Sequence, residues 1–69
     1  MIDHVYKIVE IVGTSRDGQD SAIRSALDRA SKSLRGIHWF EVANQRGYVE
    51  PDGGVLYQVT LKVGFTLDE

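Results

Sequence analysis

The sequence predicts an α+β domain with the element order β-α-β-β, in which one helix covers one face of a three-stranded antiparallel sheet. Three segments are rich in β-branched and aromatic residues, and one segment with helical spacing lies between the first two. The 69 residues suit a single domain spanning 1–69. A chain this short has a modest core, and it has no cysteine to form a disulfide. Self-association is therefore the expected way to bury more apolar surface.

Composition excludes several classes of protein. Hydrophobic residues make up 42% and charged residues 26% of the chain, which is typical of a globular domain and argues against disorder. The net charge of −2 and the pI of about 5.6 argue against a nucleic-acid partner. The layout of a signal peptide is missing, and no apolar run approaches the roughly 20 residues of a membrane span. We therefore expect a cytoplasmic protein without a membrane partner.

The first strand is expected at residues 5–12, "VYKIVEIV", and a loop at residues 13–20, "GTSRDGQD". Apolar side chains occupy both parities of the strand, which indicates a strand covered on both sides. Glycine, serine and aspartate in the second segment are typical of turns and helix caps.

The helix is expected over residues 19–35. Asp20 lies in its first turn, and Lys32 and Arg35 lie in its last, which suits the helix dipole. Gly36 is placed to end the helix in a left-handed conformation. The apolar residues form one stripe, which predicts a plain core face: Ala22, Ile23, Ala26, Leu27, Ala30 and Leu34.

Two further strands are expected at residues 38–50 and 55–67, joined by a turn at residues 50–54, "EPDGG". In the second strand, Phe40 and Val42 are the candidates for the core. The third strand alternates, and its predicted core face consists of Val55, Tyr57, Val59, Leu61, Val63 and Phe65.

The connections predict the strand order. The helix brings the chain back, so the first two strands run in the same direction, and the hairpin makes the third antiparallel to both. A wholly antiparallel sheet then has the third strand in the middle and the second at an edge. We expect Phe40 to lie opposite Phe65, and Val42 opposite Val63. One helix covers one face of this sheet, and no other segment is available to cover the second.

Three polar or aromatic side chains are expected on or near that second face. Neighbouring residues of a strand point to opposite faces, so Trp39 points away from the side of Phe40. Gln58 lies on the side of Trp39, whereas a bulge expected at residues 45–47, "QRG", leaves the direction of Arg46 open. Trp39 fits burial in a subunit interface and stacking on a flat ligand equally well. In the second case the Gln58 amide could meet donors and acceptors along the ligand's edge. Gln58 and Arg46 also fit plain surface positions.

No catalytic arrangement is found in the sequence. It lacks cysteine, a Ser-His pairing at useful spacing, a glycine-rich phosphate loop and a pair of carboxylates placed to share work. We assign no chemistry and no metal site to His4 and His38. We therefore expect a protein that is not an enzyme.

Several motifs together resemble the dodecins, a family of small flavin-binding proteins. They are "VYKIVEIVGTS", "RASKSLRGIHWFEV", "QRG" and "YQVTLKVGF", and the resemblance extends from about residue 4 to residue 67. It implies a sheet wrapped around the helix and a hollow homododecamer. It also implies that flavins (FMN, riboflavin or FAD) bind in pairs at two-fold axes.

The resemblance also implies roles for single residues. Trp39 corresponds to the tryptophan that stacks on the isoalloxazine ring, Gln58 to the glutamine that reads its edge, and Arg46 to an arginine that contacts the flavin. Some members bind coenzyme A at the first strand and the helix, where Tyr6 and Lys32 are candidates.

The function implied is flavin storage and buffering, with excited-state quenching by the indole. The alternative is a structural oligomeric shell without a flavin, in which Trp39 only fills an interface. A third possibility, an RNA-binding sheet, is disfavoured by the acidic balance. Thr66 departs from members that carry arginine there, which leaves contacts to the phosphate of FMN open.

Overall fold

The computed structural model describes residues 4–67 and has the predicted order of elements. They are β1 (Tyr6–Ser15), α1 (Gln19–Ser31), β2 (Ile37–Val49) and β3 (Val55–Thr66). The three strands form one antiparallel sheet in the order β1-β3-β2. The central position of β3 and the edge position of the Trp39 strand are therefore confirmed.

Strand β1 is longer than predicted. Residues 13–15, expected in a loop, continue the strand because they pair with residues 57–59 of β3. The glycine at position 13 allows α1 to lie close to β1. A Cβ on Gly13 would stand 2.7 Å from the Ala26 Cβ and would also press on the Ala22 carbonyl oxygen. The sequence pattern favoured a loop because these residues are common in turns, but pairing with β3 outweighs that preference.

Helix α1 ends at Ser31, whereas the sequence predicted residue 35. The backbone N–H of Leu34 still donates to the Ala30 carbonyl oxygen at 2.8 Å, but the chain there is a turn and no longer a helix. Gly36 has the positive φ expected of it, 71°, yet it leads into β2 and does not cap the helix. Its carbonyl oxygen accepts a hydrogen bond from the Thr66 N–H at 3.1 Å.

The predicted helical stripe forms the helix side of the core. Its three alanines are buried, and they bring the helix backbone close to the sheet. On β3, Val59, Leu61 and Val63 have no exposed surface, which confirms the predicted alternation at these positions. Arg29 is the basic residue of the last helical turn, whereas Lys32 and Arg35 lie beyond the helix.

Strand β2 adds only its first residue, the partly buried Ile37, to the edge of this core. Phe40 and Val42 lie on the helix side of the sheet, opposite Val63 and Leu61, but they are 44% and 37% exposed. Helix α1 packs against β1 and β3 and leaves β2 uncovered. The prediction that Phe40 and Val42 are core residues is therefore wrong for the single subunit.

An ion pair joins the loop after β1 to the hairpin turn. Arg16 donates from Nη2 to Glu50 Oε2 at 2.7 Å and from Nε to Oε1 at 3.1 Å. The hydrogen bond to Glu50, and then its charge, raise the pKa of Arg16 above its ordinary value. Because the guanidinium is exposed, the contact connects two loops without strengthening the core.

Candidate functional site

The face of the sheet opposite α1, here called the outer face, carries the residues singled out in the sequence. Side chains that pair directly across an antiparallel sheet lie on the same face, so the register assigns its members. No helix or strand within residues 4–67 covers it. β1 contributes Tyr6, Ile8, Glu10, Val12 and Thr14; β2 contributes Trp39, Glu41, Asn44, Arg46 and Tyr48; β3 contributes Leu56, Gln58, Thr60, Lys62, Gly64 and Thr66.

The register of the hairpin differs from the prediction by two residues. Phe40 lies opposite Val63, where Phe65 was expected, and a shift of two leaves every side chain on its predicted face. The irregularities fall between Ile37 and Trp39 and between Val42 and Asn44, so the expected bulge at residues 45–47 is wrong. Regular pairing there places Arg46 on the outer face.

The indole of Trp39 lies against the backbone of β3. Trp39 pairs with Gly64, and a Cβ on Gly64 would stand 2.8 Å from the indole Cδ2 and closer still to other ring atoms. Only glycine leaves room for the ring at this point. The tryptophan remains 38% exposed, so the indole surface that does not contact β3 is open to solvent. The expectation that Trp39 points away from the monomer core is confirmed.

Arg46 and Gln58 lie directly opposite one another on the same face. Arg46 is exposed and Gln58 is half-buried. Neither side chain makes a hydrogen bond or ion pair with another residue of the described segment 4–67. Together they present amide and guanidinium N–H donors and one carbonyl acceptor, a set suited to the polar edge of a heterocycle.

Trp39 lies far from the pair of Arg46 and Gln58 within one subunit. Gln58 precedes Gly64 by six residues on β3, which corresponds to about 20 Å at roughly 3.3 Å per residue. The side chains between them include Lys62, which lies opposite both Glu10 and Glu41. A three-ring aromatic ligand centred on Trp39 is shorter than this span. The two parts of the site therefore do not meet on one chain.

Tyr6 and Lys32 are not brought together. Tyr6 lies at the start of β1 on the outer face, opposite Thr66, whereas Lys32 follows α1, which lies on the other face. The Tyr6 ring instead contacts His38, with ring centroids 5.5 Å apart. Sequence reasoning assigned no role to His38, because the irregularity that places its ring beside Tyr6 leaves no signal in the residue pattern.

Two other kinds of site were sought in the described segment. Between residues 4 and 67, no three histidine, aspartate or glutamate side chains come together in a group that could bind a metal ion. Over the same residues, no helix has the length and apolar character needed to cross a membrane.

Comparison with known proteins identifies the family of this chain and agrees with its order of elements. The family model described as Dodecin matches residues 5–68. The chain belongs to the dodecin family. The dodecin of Thermus thermophilus is 54% identical over 65 residues, which is 94% of each chain. The calcium dodecin of Mycobacterium tuberculosis is 33% identical and is covered over 89% of its length, with 91% of this chain aligned.

Solved dodecin structures have the same fold. The dodecin from Streptomyces davaonensis superposes with a TM-score of 0.93 at 47% identity, covering 99% of this chain and 100% of that one. The dodecin from Streptomyces coelicolor superposes with a TM-score of 0.92 at 53% identity, over 100% and 99% of the two chains. The β-α-β-β dodecin fold is therefore confirmed for this protein.

Proposed function

We propose that this dodecin binds a flavin (FMN, riboflavin or FAD) on its outer face. The observation that carries the proposal is the indole of Trp39, which rests on Gly64 and keeps part of its surface open. A planar isoalloxazine ring can stack on that surface. Gln58 and Arg46 then supply donors and an acceptor for the edge of the ring. Membership of the dodecin family supports this assignment.

A complete site needs two subunits. About 20 Å separates Trp39 from the pair of Arg46 and Gln58 on one chain. The polar edge of a ring stacked on one subunit is therefore hydrogen-bonded by the amide and guanidinium of another subunit. A two-fold axis brings one patch against its own copy, so each such interface holds two equivalent sites. Two flavins then lie between two indoles, as the resemblance implies, and the interfaces close into a homododecamer.

The chemistry of this arrangement is sequestration. An electron-rich indole in van der Waals contact with an excited flavin donates an electron and then recovers it, which quenches fluorescence and suppresses photochemistry. A shell with many sites takes up free flavin and releases it by mass action. We therefore propose a cytoplasmic flavin store and buffer, and not an enzyme.

Replacing the indole tests the stacking. We expect Trp39→Ala to weaken FMN binding by roughly 1–3 kcal/mol, by analogy with bases stacked on aromatic side chains. That corresponds to about one to two orders of magnitude in Kd. Fluorescence titration of FMN into both proteins measures it, and Trp39→Phe serves as the control because it keeps a smaller ring. Equal affinities in wild type and Trp39→Ala would rule out stacking.

The alternative is a structural shell without a flavin. Ile8 and Val12 are exposed on the same face as Trp39, which is also what a plain subunit interface requires. This alternative expects colourless purified protein, no quenching of added flavin, and loss of the assembly in Trp39→Ala. Size-exclusion mass and the absorption spectrum of the wild type separate the two proposals.

Coenzyme A remains a proposed second ligand at Tyr6 and Lys32. Because α1 and the outer face lie on opposite sides of the sheet, a ligand that contacts both residues has either to pass around the edge of the sheet at β1 or to bridge two subunits. Equilibrium dialysis of coenzyme A against wild type and Lys32→Gln tests it. Equal retention of the ligand by the two proteins would remove Lys32 from the site.

A further inference from the structure

A cluster of polar rings lies at the end of the outer face beyond Trp39. The irregularity between Ile37 and Trp39 contains His38, whose ring centroid lies 5.5 Å from that of Tyr6 at an interplanar angle of 56°. His4 precedes β1, and its ring centroid lies 6.4 Å from that of Tyr6. All three rings belong to exposed residues. Two imidazoles therefore flank one phenol beside the stacking surface.

The opposite side of Trp39 carries a net negative charge. The next paired positions there are Glu10, Lys62 and Glu41, which place two carboxylates beside one ammonium group. On the side of the ring cluster, Tyr6 pairs with Thr66, two residues beyond Gly64, or about 7 Å along the strand. An anionic group carried by a ring on Trp39 is repelled by the carboxylates and meets N–H and O–H donors in the cluster.

The chemistry of the cluster suits a phosphate monoester. Histidine is the side chain that ordinarily changes charge between pH 5 and 8. A protonated imidazole donates charge-assisted hydrogen bonds to phosphate oxygens, and these are stronger than bonds between neutral groups. The hydroxyls of Tyr6 and Thr66 can add donors at the same place. A riboflavin chain without a phosphate gains little from such a cluster.

We propose that His38, beside Tyr6, binds the phosphate group of FMN in the flavin site. The preference of this dodecin for FMN over riboflavin then increases as the pH falls from 8 to 6. The inference rests on the proposed flavin site and adds its ligand preference. The groups around His38 are Tyr6 from β1, His4 on the far side of Tyr6 just before that strand, Thr66 from β3 and, further along β2, Glu41. No carboxylate is hydrogen-bonded to His38 within residues 4–67.

The test is a set of fluorescence titrations with FMN and with riboflavin at pH 6 and pH 8. In the wild type we expect the ratio of FMN affinity to riboflavin affinity to rise roughly threefold to tenfold on lowering the pH. In His38→Gln this rise is lost, so that only the effect of the phosphate's own protonation remains, and riboflavin binds as in the wild type. The phosphate itself takes up a proton near pH 6. That change is common to both proteins and cancels in the comparison.

A second variant, His38→Arg, is expected to raise the FMN preference at pH 8, where His38→Gln does not. His38→Arg keeps a permanent positive charge, so we expect a high FMN preference at pH 8 that no longer changes with pH. His4→Gln is the matched control, and most of the wild-type response should remain in it. An unchanged pH response in His38→Gln would overturn the proposal. The proposal would also be overturned if the pH response disappeared in Arg46→Gln but remained in His38→Gln, since the guanidinium of a second subunit would then bind the phosphate.

The failure of this proposal differs from the failure of the flavin site. If the site itself is wrong, the wild type binds neither FMN nor riboflavin, and both proposals fall together. If only the subsite is wrong, both flavins bind, Trp39→Ala weakens both, and His38→Gln changes neither their ratio nor its dependence on pH.

Discussion

Strands β2 and β3 form one hairpin but have opposite surroundings. In β3, Val59, Leu61 and Val63 have no exposed surface, whereas no residue of β2 is buried. The difference arises because α1 lies over β1 and β3 and leaves β2 uncovered. The subunit is therefore stabilised around β3, whereas β2 leaves Trp39 and Arg46 exposed.

The largest effect on stability should follow from shortening a side chain of β3. We expect Leu61→Ala to lower the free energy of unfolding by about 2–5 kcal/mol, because it leaves a cavity under the helix. Val42 lies directly opposite on β2 and is partly exposed, so Val42→Ala should cost about 1 kcal/mol or less. Denaturant unfolding at a fixed protein concentration measures both. Equal losses would contradict the division between the two strands.

A smaller effect is expected where the two strands meet at the indole. In Gly64→Ala the new methyl group occupies the space of the Trp39 ring, so the indole has to leave the surface of β3. FMN affinity should fall by about tenfold, as when one stacking contact is lost. Gly47→Ala is the matched control on β2, since its nearest contact is Val55 Cγ1 at 3.4 Å. A Gly64→Ala protein with wild-type affinity would show that the stacked position of the indole does not matter.

The smallest effect is expected at the ion pair of Arg16 and Glu50, which joins the loop after β1 to the turn between β2 and β3. We expect Arg16→Gln to leave the unfolding midpoint nearly unchanged, because the guanidinium is exposed. Glu50 raises the pKa of Arg16, so any stabilisation is fully present below the ordinary pKa of an arginine, which is far above pH 9, and is lost only above it. Thermal unfolding between pH 5 and 9 should therefore show the same pH dependence in both proteins. A difference that grows within this range would contradict the assignment.

The contrast between β2 and β3 also explains what could be predicted from the sequence. The alternating apolar residues of β3 and the alanine stripe of α1 face the same core. The spacing of apolar residues along the sequence therefore predicts both correctly. Strand order followed from the short hairpin and the returning helix. The outward direction of Trp39 followed from the parity of one strand.

The sequence predictions that were wrong concern positions whose structure depends on packing against another helix or strand. Phe40 and Val42 are on the predicted face, but α1 packs on β1 and β3 and only borders a groove beside Phe40, and no pattern in β2 reveals where the helix lies. The irregularities beside His38 and Asn44 shift the register without any glycine to mark them. The helix ends at Ser31 although Leu34 continues its apolar stripe. Each of these depends on tertiary packing, which overrides local preference.

Mixing two defective chains tests the central claim that each flavin site is shared between subunits. Trp39→Ala and Gln58→Ala proteins are co-assembled in equal amounts and titrated with FMN. We expect about a quarter of the sites to regain wild-type affinity by random pairing at two-fold interfaces, since a mixed interface combines one intact indole with one intact amide. A mixture that binds FMN no better than the two variants measured separately would contradict the shared site.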